Sequence, residues 1–167
     1  GTGVTFGDYD RDGDVDLYLS NYGRADFSSP EGSGEANQMF ANDGGVFTDV
    51  TAESKLGNPG HSSGSVWVDY DHDGDLDAYS MNFGMVDEFT GIARTETNIL
   101  YRNDGDGDFV DVTEAAGLST LEGRQLGVVF VDIDDDGDAD LFQGNDATPN
   151  GLFRNNGDGS FVEVGLL

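Results

Sequence analysis

The clearest pattern in the chain is a recurrence of short apolar runs separated by polar, glycine-rich segments. Residues 47–50, 109–112 and 161–164 each begin with Phe and continue with β-branched and polar positions. Such short alternating runs favour β-strands, and no longer window has the apolar spacing of a helix. The longest helical element that the pattern allows is one turn at Thr113 to Gly117. The sequence therefore predicts an all-β protein.

The apolar runs fall into three sets of four, which makes the chain an internal repeat. Acidic segments begin at residues 8, 69 and 132, which gives periods of 61 and 63 residues. Because one four-stranded sheet cannot bury both of its apolar faces, neighbouring sheets must cover each other. We expect three tandem four-stranded antiparallel blades of a β-propeller, as a partial propeller or an assembling array. The predicted units are residues 1–61, 62–125 and 126–167.

Aromatic residues recur at equivalent positions of the three units and are predicted to form the core between neighbouring blades. Stacking on a ligand is the alternative for these positions, but repetition in every unit favours the core. The repeated sets are Phe6, Trp67 and Phe130; Tyr18, Tyr79 and Phe142; Phe40, Tyr101 and Phe153; and Phe47, Phe109 and Phe161.

Each unit contains a nine-residue segment of the form Asp-x-Asp-x-Asp-Gly-Asp-x-Asp, which we call the acidic loop and number from position 1 to position 9. Five carboxylates so close together repel one another unless a cation lies among them. Hard oxygen ligands in a flexible loop favour Ca²⁺ over Mg²⁺. We expect about one calcium ion per unit, three in total. The predicted metal-binding residues are Asp8, Asp10, Asp12, Asp14, Asp16, Asp69, Asp71, Asp73, Asp75, Asp77, Asp132, Asp134, Asp136, Asp138 and Asp140.

The positions of the acidic loop are expected to differ in role. Carboxylates at positions 1, 3, 5 and 9 would surround the ion, and position 7 would offer its carbonyl while its side chain points away. Glycine at position 6 allows a turn that other residues avoid. His72 and His61 are not expected to be ligands. The glycine-rich turns at residues 103–108 and 155–160 are either plain hairpin turns or sites for a second cation.

The charge of the chain excludes some classes of partner. It has 34 acidic and 7 basic residues, and its formal net charge of −27 would repel nucleic acid and anionic membrane surfaces. No apolar run is long enough for insertion into a membrane. Cysteine is absent, which excludes disulfides and thiol catalysis. Because free calcium is scarce in the cytosol, calcium loops of this kind predict a secreted, extracellular protein.

Two motifs together resemble the FG-GAP/VCBS repeat family. They are Gly3 to Asp10 with the acidic loop that follows, and the segment from Asn150 to Phe161. The resemblance covers almost the whole chain, and the third unit is similar to the bacterial and cartilage acidic protein branch. It implies calcium-binding β-propeller blades like those of integrin α-subunits. Propellers of the family usually have about seven blades, and three blades cannot close a ring.

The favoured functional hypothesis is a structural or adhesive interaction module, not an enzyme. Protein or carbohydrate ligands would bind the loops, above all the excursions at residues 22–36 and 83–97. The two open ends of a three-blade array require either further blades of a longer chain or self-assembly of copies into an oligomer or fibre.

The alternative hypothesis is a catalytic or non-catalytic propeller part of a secreted polysaccharide lyase or hydrolase. It requires a non-repeated cluster of acidic, histidine or arginine side chains on one face. The sequence indicates no such cluster, although Arg24, Arg94 and Arg124 lie in non-repeated connections.

Overall fold

The computed structural model describes residues 1–23, 35–86, 93–94, 96–105, 107–119, 124–146 and 148–166. The predicted excursions at residues 22–36 and 83–97 lie in large part outside this range, as do Arg24 and the side chain of Arg94. In chain order the elements are β1 Gly3–Gly7, β2 Asp16–Ser20, β3 Gln38–Asp43, β4 Val46–Asp49, α1 Thr51–Ser54, β5 Ser62–Val68, β6 Asp77–Asn82, β7 Met85–Val86, β8 Ala93–Arg94, β9 Ile99–Asn103, β10 Phe109–Asp111, β11 Gln125–Val131, β12 Asp140–Asn145, β13 Gly151–Asn155 and β14 Phe161–Leu166.

The strands form three four-stranded antiparallel sheets, as the sequence predicts, while β7 and β8 form a two-stranded ribbon. We call the sheets the first blade (β1-β2-β3-β4), the second blade (β5-β6-β9-β10) and the third blade (β11-β12-β13-β14). The register places Gly7 opposite Asp16 and Val68 opposite Asp77. Each acidic loop therefore closes the hairpin between the first two strands of its blade.

The helical content differs from the sequence expectation. The helix α1 occupies Thr51–Ser54, whereas the segment from Thr113 to Gly117 is a turn. Asp49 fixes the start of α1, because its carboxylate accepts hydrogen bonds from the N–H and the hydroxyl of Thr51 at 3.0 and 2.6 Å. Four residues are too few for a helical period to show in the sequence. Within the described ranges, no helix has both the length and the apolar character needed to cross a membrane.

Neighbouring blades stack face to face, and the core lies between them. We call the face that a blade turns toward the preceding blade its leading face, and the opposite face its trailing face. Tyr18 and Met39 on the trailing face of the first blade meet Trp67, Tyr101 and Phe109 on the leading face of the second. The interface between the second and third blades contains Tyr79, Leu100, Phe130, Leu141, Phe153 and Phe161.

Glycines let the first two blades approach closely along their first strands. A Cβ atom on Gly7 would lie 2.7 Å from Cδ1 of Trp67, and one on Gly3 would lie 3.0 Å from the Cα atom of Gly64. The Thr2 hydroxyl donates a hydrogen bond of 2.6 Å across the same interface to the carbonyl of Ser62. A side chain at either glycine would push the two sheets apart.

The predicted aromatic core is confirmed between the blades and is wrong at the outer face of the first blade. Tyr18 and Tyr79 are fully buried, and Phe153 is 1% exposed. In contrast, Phe6 and Phe47 are 59% and 47% exposed. Both lie on the leading face of the first blade, and no blade in the described part of the chain covers that face.

Candidate metal centres

The three acidic loops share one backbone conformation. Gly13, Gly74 and Gly137 at position 6 have φ values of 95°, 92° and 99°, as expected for a turn that favours glycine. Position 4 is also left-handed in every loop, with φ between 60° and 63°. Carboxylates at position 1 accept backbone N–H groups inside the loop, as Asp8 does from Gly13 at 3.1 Å and Asp132 does from Gly137 at 3.0 Å. These bonds hold the carboxylates on the inside of the loop.

In each loop the structure brings three carboxylates together. One oxygen atom from each lies within 4.8 Å of the others, a spacing that fits around a single cation. Positions 1, 3 and 9 form the group in the first two loops, whereas positions 1, 3 and 5 form it in the third. The groups are Asp8, Asp10 and Asp16; Asp69, Asp71 and Asp77; and Asp132, Asp134 and Asp136.

Some oxygens of these groups are buried without receiving a hydrogen bond. They are one carboxylate oxygen each of Asp8, Asp69 and Asp71. A buried oxygen of this kind is unfavourable unless a cation or a water completes its surroundings. Burial raises the pKa of Asp10 and of Asp71, and neighbouring carboxylates add to the rise. The residues present therefore fit a divalent cation that prefers oxygen ligands.

The aspartate at position 9 has a second role that the sequence analysis did not predict. Asp16, Asp77 and Asp140 are fully buried, and both oxygens of each accept backbone N–H groups. Asp77 accepts from Tyr70 at 3.2 Å and from Asn103 at 2.9 Å. These bonds tie the loop to the third strand of its own blade. Burial outweighs them and raises the pKa of Asp77 to about 7.

The remaining predicted ligands lie outside the groups. The carboxylate of Asp14 accepts a hydrogen bond from the N–H of Gly44 at 2.8 Å. Asp75 forms an ion pair with Arg11 of the preceding loop, and Asp138 lies 3.3 Å from Nε2 of His72 in the preceding loop. The side chains at position 7 thus bind other parts of the protein. The predicted residues outside the groups are Asp12, Asp14, Asp73, Asp75, Asp138 and Asp140.

The residues at positions 2 and 4 contact the following blade, a role that was not predicted from the sequence. Tyr9 and Tyr70 at position 2 are 7% and 2% exposed. Arg11 at position 4 lies 2.7 Å from Asp75 in the next loop. The sequence signal that could have indicated the burial of position 2 is the tyrosine found there in two of the three loops.

A further cluster of polar side chains lies at the other end of the sheets. His61 is buried, its Nδ1 atom pairs with the carboxylate of Glu96, and its ring lies 5.3 Å from the ring of Tyr22. Burial is the largest cause of the raised pKa of Tyr22, with Glu96 adding to the rise and Arg124 opposing it. His61, Glu96 and Tyr22 thus form a non-repeated group that the sequence did not indicate, and Arg124 lies near enough to act on Tyr22 electrostatically. His61 and Glu96 are 35 positions apart, so no local pattern reveals the pair.

Two comparisons with known proteins agree with the family resemblance. The profile of the FG-GAP-like repeat matches residues 84–143, which include β9, β10, β11 and the third acidic loop. Cartilage acidic protein 1 of Xenopus tropicalis is 38% identical over 56 residues. That stretch is 34% of this chain and 9% of the relative, so the chain spans only a small part of that protein's length. Residues 84–143 thus carry an FG-GAP-like repeat, which confirms the resemblance expected from the motifs.

Proposed function

We propose that this chain is a secreted, calcium-binding segment of β-propeller blades that serves as a non-catalytic structural or adhesive interaction module. The observation that carries the proposal is the set of buried carboxylate oxygens without donors at Asp8, Asp69 and Asp71. The four-stranded blades and the FG-GAP-like repeat provide the scaffold on which such a module is built.

The donor set supports calcium as the cation. Ca²⁺ accepts six to eight oxygen ligands at about 2.3–2.6 Å in flexible geometry, whereas Mg²⁺ requires a tighter octahedron and retains waters. Each group offers three carboxylates and leaves positions for loop carbonyls and water. The residues that would hold the ions are the three grouped aspartates of each acidic loop.

The proposed role of the ion is to stabilise each blade. Metal binding would neutralise the repulsion among the carboxylates of the loop that joins the first two strands. Because Asp77 also accepts a hydrogen bond from the backbone of Asn103 in β9, a fixed loop would hold three of the four strands in register. The blades would then present their connections in a defined arrangement.

Protein or carbohydrate ligands are proposed to bind the connections between the second and third strands of the blades. Connections on a rigid sheet scaffold are the usual place for recognition. The net charge of −27 opposes nucleic acid and anionic membranes as partners. Export is supported by the FG-GAP-like repeat, which is typical of extracellular proteins.

Calorimetric titration of the metal-free chain with calcium chloride tests the metal sites. We expect three ions per chain, weaker binding of Mg²⁺ and a higher melting temperature in calcium than in EDTA. The double variant Asp69→Asn/Asp71→Asn should bind two ions. Asp43→Asn, at an exposed position outside the loops, should still bind three. A melting temperature that is the same in calcium and in EDTA would contradict the proposal.

The non-catalytic role is tested separately at the cluster around His61. The calcium-loaded chain is incubated with acidic and neutral polysaccharides, and the release of reducing ends and unsaturated sugars is measured. We expect no more release than from the variant His61→Ala. Cleavage by the unchanged chain that disappears in this variant would indicate a secreted hydrolase or lyase instead.

A further inference from the structure

The two interfaces between the blades repeat the same contacts, which shows what a leading face accepts. The first contact joins a basic side chain of one loop to an acidic side chain of the next loop. Arg11 at position 4 lies 2.7 Å from Asp75 at position 7 of the next loop, and His72 at position 4 lies 3.3 Å from Asp138. The side chain of Asp75 is only 8% exposed, so its charge requires a nearby cation. A cation at position 4 therefore matches the acid at position 7 of the following blade.

The second and third contacts involve position 2 of the loop. The ring of Tyr9 lies 6.0 Å from the ring of Phe109 in the following blade. The carbonyl of Tyr9 accepts a hydrogen bond of 2.8 Å from the side chain of Asn103 in that blade. The next interface repeats both contacts, at the same two distances, with Tyr70, Phe161 and Asn155.

The leading face of the first blade has the equivalent residues but no blade against it among the described residues. Phe47 corresponds to Phe109, Asn42 to Asn103, and Asp14 to Asp75. Phe47 is 47% exposed, whereas Phe109 is 2% exposed. This face therefore continues an interface that is already used twice in the molecule.

We propose that the leading face of the first blade docks another acidic-loop blade, one that carries an aromatic residue at position 2 and a cation at position 4. The aromatic ring would pack on Phe47, its carbonyl would accept from Asn42, and the cation would pair with Asp14. The first blade of this chain has this combination in Tyr9 and Arg11, so the partner blade is of its type.

A second copy of the chain does not have a matching trailing end. Its third blade would present Asp135 at position 4, which would lie against Asp14 as a pair of like charges. It would also present Ile133 at position 2 in place of a tyrosine. The net charge of −27 adds repulsion between copies. The charge pattern thus selects against head-to-tail assembly of the unchanged chain.

Charge reversal in the calcium-loaded full chain tests this selection. Position 4 accommodates arginine in the left-handed conformation, because Arg11 has φ 60° and Asp135 has φ 63°. Asp135→Arg should pair with Asp14 of another copy, and the reciprocal variant Asp14→Arg should pair with Asp135. Sedimentation velocity over a range of concentrations should show each single variant associating roughly tenfold or more tightly than the unchanged chain.

The double variant Asp14→Arg/Asp135→Arg restores like charges and should return to the behaviour of the unchanged chain. Glu114→Arg makes the same charge change at an exposed position of the turn after β10 and should not promote association. Circular dichroism and calcium-dependent melting establish which variants are folded. If only one of the two single variants folds, that variant alone can be compared with the unchanged chain. Association of the single variants no tighter than that of Glu114→Arg would overturn the proposal. Association of the unchanged chain as tight as that of the single variants would also overturn the proposal, because it would identify a second copy as the occupant.

Discussion

The second and third acidic loops have the same pattern of aspartates, yet they differ in burial. Tyr70 at position 2 of the second loop is 2% exposed, whereas Ile133 at the same position of the third is 46% exposed. Asp75 at position 7 of the second loop is 6% exposed. All three grouped aspartates of the third loop are exposed. The third blade packs against the second loop, and no described residue packs in that way against the third.

This difference shows that a following blade completes an acidic loop. The motif supplies the carboxylates, but the next blade removes water from them. Buried oxygens without donors occur at Asp69 and Asp71 of the second loop, and among the described residues none is found in the third. Two copies of one motif are therefore expected to differ in stability and in affinity for calcium.

Truncation of the side chain at position 2 should produce the largest difference between the two loops in the free energy of unfolding. Tyr70→Ala removes a buried ring that lies 6.0 Å from the ring of Phe161, and we expect the free energy of unfolding to fall by about 3–5 kcal/mol. Ile133→Ala shortens a half-exposed side chain and should lower it by less than about 1 kcal/mol. Urea denaturation in calcium measures both values. Equal losses would contradict the role assigned to the following blade.

Removal of calcium should reveal the burial of the second loop as a dependence on pH. The pKa of Asp77 is raised from 3.8 to about 7 in the folded protein. Between these values the folded protein keeps a proton that the unfolded chain has lost, so the contribution of Asp77 to stability is complete below about pH 4 and is lost as the pH rises through 7. The expected loss is on the order of 4 kcal/mol.

Urea denaturation in EDTA across this pH range measures the effect, and Asp77→Asn isolates it. The variant should be less stable overall, because an amide cannot accept both backbone N–H groups, but its stability should fall less with rising pH. A pH slope identical to that of the unchanged chain would assign the dependence to other residues.

Removal of a single carboxylate should weaken calcium binding more in the second loop than in the third. Asp71→Asn removes a carboxylate with a buried oxygen and should weaken the second site about tenfold or more. Asp134→Asn removes an exposed carboxylate at the same loop position and should weaken the third site by only about threefold. Competition with a fluorescent chelator measures both affinities, and the opposite ranking would refute the comparison.

The smallest expected effect concerns the cation that faces the second loop. Arg11→Ala leaves Asp75 without its partner, but the Arg11 side chain is 56% exposed and water can take its place, so the free energy of unfolding should fall by only about 0.5–1 kcal/mol. Asp135→Ala is the matched control, because position 4 has the same left-handed backbone in both loops and any strain of the alanine is shared. The control should show little loss in thermal unfolding, and the difference should shrink in high salt.

The sequence was sufficient to predict whatever is repeated and local. Short strands such as β1 are predicted from their composition and from the recurrence of the same run in β5 and β11. The recurrence of Gly13 and its equivalents at position 6 predicts a left-handed backbone there. The grouping of carboxylates follows from their density, although the choice between positions 5 and 9 depends on packing.

Contacts between units were harder to predict. The burial of Tyr9 depends on Phe109, which lies in another unit, and no spacing along the chain relates the two residues. The helix α1 is shorter than any period that could reveal it. The pair of His61 and Glu96 occurs once and in non-repeated connections, so neither repetition nor periodicity indicates it. Tertiary packing decides each of these features.

The side chain of Asn103 donates to the carbonyl of Leu76 in its own loop at 3.3 Å and to that of Tyr9 in the preceding loop at 2.8 Å. Asn155 makes the same two bonds one unit later. The junction between units thus depends on main-chain carbonyls and on one amide that every unit supplies at the end of its third strand. A tandem duplication of the first or the second unit would therefore insert a unit whose junctions on both sides already fit, and such arrays can lengthen without a new core having to evolve.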